Sequence, residues 1–136
     1  MQRTLAFIKP DLWENSVSCA AVIGKIQQSG FKILQQKQVK WSVMDAQKFY
    51  KEHQGKRWLM MAGKPFFYRL TSFMSSAPFV AMELEREDCI AKWREMIGKS
   101  NPVRMRMENA QCLRAIYGIS DTRNAFHGSG FYILIL

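Results

Sequence analysis

Two histidines occur in this chain, His53 and His127. His127 lies in Asn124-Ala125-Phe126-His127-Gly128-Ser129-Gly130, between an asparagine and a turn of small residues. An imidazole nitrogen that carries no proton is a nucleophile near pH 7 and can take a phosphoryl group. Gly128 leaves room for a second molecule to approach the ring. A histidine beside an aromatic is also a common structural side chain, so this segment alone leaves both readings open. Lys9 ends an apolar run at Pro10. A lysine there either faces a site or lies on the surface.

The elements that must position these groups can be read in chain order. Arg3–Ile8 reads as a strand, ended by Lys9-Pro10-Asp11 because Pro10 has no amide to donate. Cys19, Val22, Ile23 and Ile26 recur at helical spacing over 16–29, and Gly30 is a natural stop. Residues 31–41 alternate, which predicts a strand with Phe31, Ile33, Val39 and Trp41 on one face. Ser42-x-x-Asp45 opens a helix that carries Ala46, Phe49 and Tyr50, with His53 at its end. Residues 54–64 have no clean period, and their Trp58-Leu59-Met60-Met61 is read as packing on the body or covering a pocket. Pro65 starts a second helix of this pair, with Phe66, Phe67, Leu70, Phe73 and Met74 as its stripe. Phe79–Leu84 is a strand, and 87–97 a helix stopped by Gly98. Residues 99–112 read as one long irregular stretch. Order resumes over 113–119, and Phe126-His127 belongs to a last strand. This order suits an α+β sandwich: the ferredoxin-like βαββαβ arrangement, with a four-stranded antiparallel sheet and an extra helical pair.

The bulk properties fit one globular domain. The chain has 136 residues, 48% of them apolar and 23% charged. Three cysteines lie far apart without a C-x-x-C pair, so neither a disulfide framework nor a zinc site is expected. No run of eighteen apolar residues suggests a membrane span. No leader precedes the first strand, which points to the cytoplasm, with a mitochondrial address as the alternative. The formal net charge of +9 favours anionic partners. The basic residues are scattered, which argues against a nucleic-acid tract and leaves that reading last.

Several motifs then coincide in order with one family. They are Arg3–Asp11, Pro65-Phe66-Phe67, Phe73–Pro78, Trp93-Arg94, Gly98-x-Ser100-Asn101-Pro102, Leu113-Arg114-Ala115 and Asn124–Ser129. From Arg3 to about Ser129 the chain resembles the nucleoside diphosphate kinases, in its wording their divergent second group. The resemblance implies transfer of the γ-phosphoryl of a nucleoside triphosphate such as ATP or GTP to a diphosphate through a phosphohistidine. His127 would be the nucleophile. Lys9, Arg94, Ser100 and Arg114 would hold phosphates, Lys9 also reaching the sugar, and Asn124 would hold the ribose. Phe66 would stack on the base, a contact blind to base identity because every base has a π-face. Mg2+ would be held through the nucleotide phosphates rather than by the chain. A homo-oligomer, a dimer at least, is implied as well.

Four departures from the family pattern qualify the expected activity. Gln54 stands where a tyrosine follows the histidine ending the third helix. Arg57–Pro65 reads as an insertion. Gly130 replaces an aspartate. After it, Phe131–Leu136 takes the place of the usual C-terminal helix and tail, whose glutamate orients the histidine. The whole chain, 1–136, is therefore read as a single domain of this kind lacking that helix. A weakly active or inactive relative that binds nucleotide or protein is the alternative function.

Overall fold

The computed structural model describes residues 1–53, 65–99, 101–120, 123 and 125–128, with the side chains of Glu52, His53, Pro65 and Phe66 outside that description. Four strands form one sheet: β1 Gln2–Ile8, β2 Lys32–Val39, β3 Phe79–Arg86 and β4 Phe126–Gly128. Their spatial order is β2-β3-β1-β4, and every pairing is antiparallel. The helices in chain order are α1 Pro10–Trp13, α2 Ser16–Gln28, α3 Val43–His53, α4 Pro65–Ser76, α5 Cys89–Ile97, α6 Pro102–Glu108 and α7 Leu113–Tyr117. This is the expected α+β sandwich, with α3 and α4 as the extra pair.

Strand alternation splits the apolar side chains into two cores. Ala6 and Ile8 of β1 join Val80, Met82 and Leu84 of β3 beneath α2 and α5. Leu5 and Phe7 join Phe79 and Ala81 on the other face, beneath α3 and α4. Since β1 and β3 are covered on both faces, both read in sequence as nearly unbroken apolar runs.

Local chemistry sets the helix ends. Asn15 caps α2, its Oδ1 accepting from the Ser18 amide at 3.0 Å. At α3 the Ser42 hydroxyl accepts from the Asp45 amide at 3.1 Å, while the Asp45 carboxylate accepts from the Ser42 amide at 3.0 Å. That reciprocal pair is a capping box with aspartate in place of glutamate.

The structure corrects two expectations. Residues 99–112 are not one irregular stretch, because α6 occupies Pro102–Glu108. Asn101 caps it by accepting from the Arg104 amide at 3.2 Å, Pro102 opens it, and Arg104 pairs with Glu108 one turn on at 2.6 Å. Only Pro102 and Met105 of this helix are buried, so it has no apolar stripe to read. The second correction concerns β2. Phe31 and Ile33 pack on the α2/α5 core, whereas Val39 and Trp41 pack on the α3/α4 core. A register shift between Ile33 and Gln35 turns the strand over. An extra residue in one strand reverses which parity faces inward, so strict alternation fails across it.

Candidate active site

β4 is the outer strand beside β1, and Phe7 stands opposite His127 in the ladder. Facing residues of paired strands share a face. The His127 imidazole therefore lies on the aromatic face, with ring centroids 4.9 Å from Phe7, 5.3 Å from Phe49 and 6.3 Å from Tyr50. It is 7% exposed. Its backbone is held from the other face: the Trp93 indole donates to the His127 carbonyl at 3.0 Å, and Trp93 is fully buried. One residue is thus fixed by both cores.

Lys9 follows β1 directly. Its amide donates to the Ala125 carbonyl at 2.7 Å, and its own carbonyl accepts from the Leu12 and Trp13 amides at 3.0 and 2.9 Å. The backbone of Lys9 is so tied to the start of β4 on one side and to α1 on the other. Ala125 adopts a left-handed conformation, φ 72°, while fully buried. Such a conformation is disfavoured by about 1–2 kcal/mol for a residue with a Cβ, so its surroundings must impose it.

The Lys9 side chain is buried at 4% exposure. Its pKa is lowered to about 7, chiefly by burial and also by the Arg114 charge, with the Asp11 charge opposing both. Arg114 lies on α7 and donates to the Gly98 carbonyl at 2.6 Å and to the Phe126 carbonyl at 2.8 Å. A Cβ on Gly98 would fall 2.5 Å from the Cys112 Sγ, and its φ is +83°. Only glycine allows the close fit that presents this carbonyl to Arg114.

The structure therefore brings Lys9, Arg114 and His127 to one edge of the sheet. Arg94 stands exposed in the last turn of α5, and among the described residues no hydrogen bond or ion pair ties its side chain. Gly128 ends β4 next to the imidazole. Phe66 is placed in the first turn of α4 by its backbone alone. Ser100, Asn124, Gln54, the insertion up to Lys64 and the end from Ser129 to Leu136 lie outside the described residues.

The sequence reading missed two groups here. Tyr50 was read as core, and it is core: 1% exposed, with its ring stacked edge-on to Phe49 at 5.1 Å. Among the described residues its hydroxyl has no hydrogen-bond partner, and burial pushes its pKa upward against the pull of Arg114. The Tyr50 ring lies 6.3 Å from the His127 ring between centroids. The second group is Asp11. Its two carboxylate oxygens are shut off from solvent and have no hydrogen-bond partner among the described residues. Burial raises its pKa, and the charges of Lys9 and Arg123 and the amides of Asp11 and Ala125 work against the rise. Helical spacing announces a buried Tyr50 but not where its hydroxyl ends, and Asp11 after Pro10 reads only as a strand terminus.

Among the described residues no group of three His, Cys, Asp or Glu could hold a metal ion, and no helix is long and apolar enough to cross a membrane. The three cysteines are buried and free.

Comparison with known proteins agrees with this geometry. The family described as nucleoside diphosphate kinase matches residues 2–131. Nucleoside diphosphate kinase 6 of Danio rerio is 41% identical over 129 residues, 95% of this chain and 69% of that protein. A nucleoside diphosphate kinase of Sorangium cellulosum is 37% identical, over 95% of this chain and 81% of its own length. Among solved structures, the Aquifex aeolicus nucleoside diphosphate kinase superposes with a TM-score of 0.83 at 33% identity, covering 96% of this chain and 86% of that one. The Halobacterium salinarum enzyme, solved in complex with CDP, superposes with a TM-score of 0.78 at 26% identity over 93% and 76% of the two chains.

Proposed function

The chain belongs to the nucleoside diphosphate kinase family, and from that premise we propose that it moves the γ-phosphoryl of a nucleoside triphosphate such as ATP onto a nucleoside diphosphate through His127. An unprotonated ring nitrogen attacks the γ-phosphorus, the bond to the bridging oxygen breaks, and the diphosphate leaves with that electron pair. The second diphosphate then attacks phosphohistidine and the imidazole recovers its lone pair. The observation that carries the reading is one juxtaposition: the His127 imidazole, backed by Phe7 and Phe49, shares the sheet edge with the cations Lys9 and Arg114.

Phosphoryl transfer needs positioning and charge neutralisation more than covalent help. Arg114, gripped by two carbonyls, offers a preset cation. Lys9 supplies a second one at the end of β1. Tyr50, whose ring faces His127 edge-on, would offer its hydroxyl as a neutral donor. By the same reading Arg94 and Ser100 take the remaining phosphate oxygens, Asn124 the ribose and Phe66 the base. Mg2+ would be held by the phosphates, since the described residues gathered here are cations with one carboxylate, a poor cage for a divalent ion. When bound it neutralises charge on the phosphate oxygens.

Incubation with radiolabelled ATP should leave acid-labile phosphate on His127, and His127→Ala should abolish it while ADP binding and melting temperature persist. Loss of a nucleophile lowers turnover by about 10³-fold or more. A His127→Ala protein that still transferred phosphate at the parental rate would refute the assignment. Nucleotide binding without phosphohistidine in the parent chain would make it a binding relative instead.

A further inference from the structure

The transfer assigns no part to Arg106 on α6. Like Arg114, it donates to two main-chain carbonyls: its Nε to Ala115 at 2.9 Å and its Nη2 to Gly118. We infer that Arg106 is a positioning residue for Arg114: it fixes the end of α7 against α6, and α7 carries the arginine that meets the phosphates. The inference rests on the proposed placement of Arg114 there.

Three observations carry it. Helix α7 has five residues, too few to keep its place without tertiary contacts. Leu113 sits in the α2/α5 core, and Ala115 joins Met105 of α6 and Cys112 in a small cluster on the other side. Apolar burial is non-directional, so it holds α7 down without fixing its slide or rotation, which hydrogen bonds can do. The second observation is the choice of acceptors. A surface arginine is ordinarily near neutral when replaced, but Ala115 and Gly118 are buried, and the Ala115 carbonyl lies in the last turn, where carbonyls have no partner within a helix. The third is the close fit of the two helices. A Cβ on Gly118 would fall 2.5 Å from the Pro102 Cγ, so the chain leaving α7 lies flush against the start of α6.

The two arginines brace one loop of chain in opposite senses. From Gly98 the chain runs through α6 and turns back as α7. Arg114 reaches back from α7 to the Gly98 carbonyl at 2.6 Å and across to that of Phe126 at 2.8 Å. Arg106 reaches forward from α6 to the far end of α7. Its planar fork grips two acceptors at a set angle, which a point charge cannot do. Without it α7 can shift, and the Arg114 guanidinium must follow or give up one of its carbonyls. Either moves the charge, and a misplacement of about 1 Å in such a group can cost about 10²-fold in rate.

The test is a double-mutant cycle on the full chain, with R106A, R114A and the pair, read by calorimetric titration with ADP. R106A should bind ADP about tenfold more weakly than the parent, whereas the same substitution made in R114A should change ADP binding by less than about twofold. Adenosine, which offers base and sugar without phosphate, should bind R106A within about twofold of the parent. An R106A protein that binds ADP as the parent does overturns the inference, even if it melts earlier. So does a loss that is the same with and without Arg114, or one that adenosine shares in full, since each marks a merely structural arginine. Should R106A fail to fold, R106K decides in the same cycle. It keeps the charge and the stem but not the fork, and should lose ADP affinity about threefold with Arg114 present and not without it. Parental affinity in R106K, or an equal loss in both backgrounds, then overturns the inference. R114A binding ADP as tightly as the parent would sink the placement of Arg114 itself, an outcome distinct from those that concern Arg106.

Discussion

The two faces of the sheet are built differently, and His127 belongs to both. The face under α2 and α5 is mostly aliphatic around Trp93, with Val22, Ile26, Met82, Leu84 and Ile97 fully or almost fully buried. The face under α3 and α4 is a stack of rings: Phe7 contacts Trp41, Phe49 and Phe79 at 4.9–5.5 Å between centroids. The first face meets His127 through its main chain, by the indole of Trp93, and the second through its ring. Flat side chains of few rotamers hold an imidazole plane through ring contacts. The aliphatic face serves to keep β4 in place. Stability and aim are thus separable, and substitutions can separate them.

The largest effect should come where both faces meet the charges. Arg114→Ala removes two charge-assisted bonds, to Gly98 and Phe126, each worth roughly 1.5–3 kcal/mol, and also the preset cation. Turnover should fall by about 10²-fold or more, and the melting temperature should fall with it; steady-state kinetics and thermal unfolding read the two. Trp93→Phe should act on stability first. It leaves the His127 carbonyl without its buried donor, a loss of about 1–3 kcal/mol in urea unfolding, with turnover reduced much less. A hundredfold loss of turnover at unchanged stability would contradict the division between the faces. Phe49→Leu should show the smallest and opposite pattern. Its ring contacts with Phe7, Tyr50 and His127 carry about 0.5–1.5 kcal/mol beyond buried area, and the loss should appear in the rate of His127 phosphorylation before it appears in unfolding.

Much of this arrangement could be read from the chain. Capping residues, glycine stops and the periodicities of β1, α2 and α5 are local properties, and the sheet follows from them by the few topologies that βαββαβ permits. The motifs around Lys9, Arg114 and His127 led to residues that the fold does bring together. Three features escaped for physical reasons. The turnover of β2 between Ile33 and Gln35 is a property of its pairing with β3, which alternation within one strand cannot reveal. Helix α6 forms through a cap and an ion pair with almost nothing to bury, so hydrophobic spacing is silent about it. The lowered pKa of Lys9 comes first from its burial and then from the Arg114 charge on α7, against Asp11 in the turn into α1, none of which its own segment announces.

Gly98 extends the site beyond the groups that would touch a nucleotide. Its carbonyl seats Arg114, and the space where a side chain would begin is filled by Cys112. A pocket survey that scores residues by distance to a bound phosphate would pass over both positions. In a saturation library selected for phosphotransfer, position 98 should return glycine. Any larger residue at 98 pushes against the sulfur, and a smaller residue at 112 leaves the strain of the +83° φ in place. Position 112 can therefore vary in size only while 98 stays glycine, and Gly98 is where neutral drift around this arginine stops.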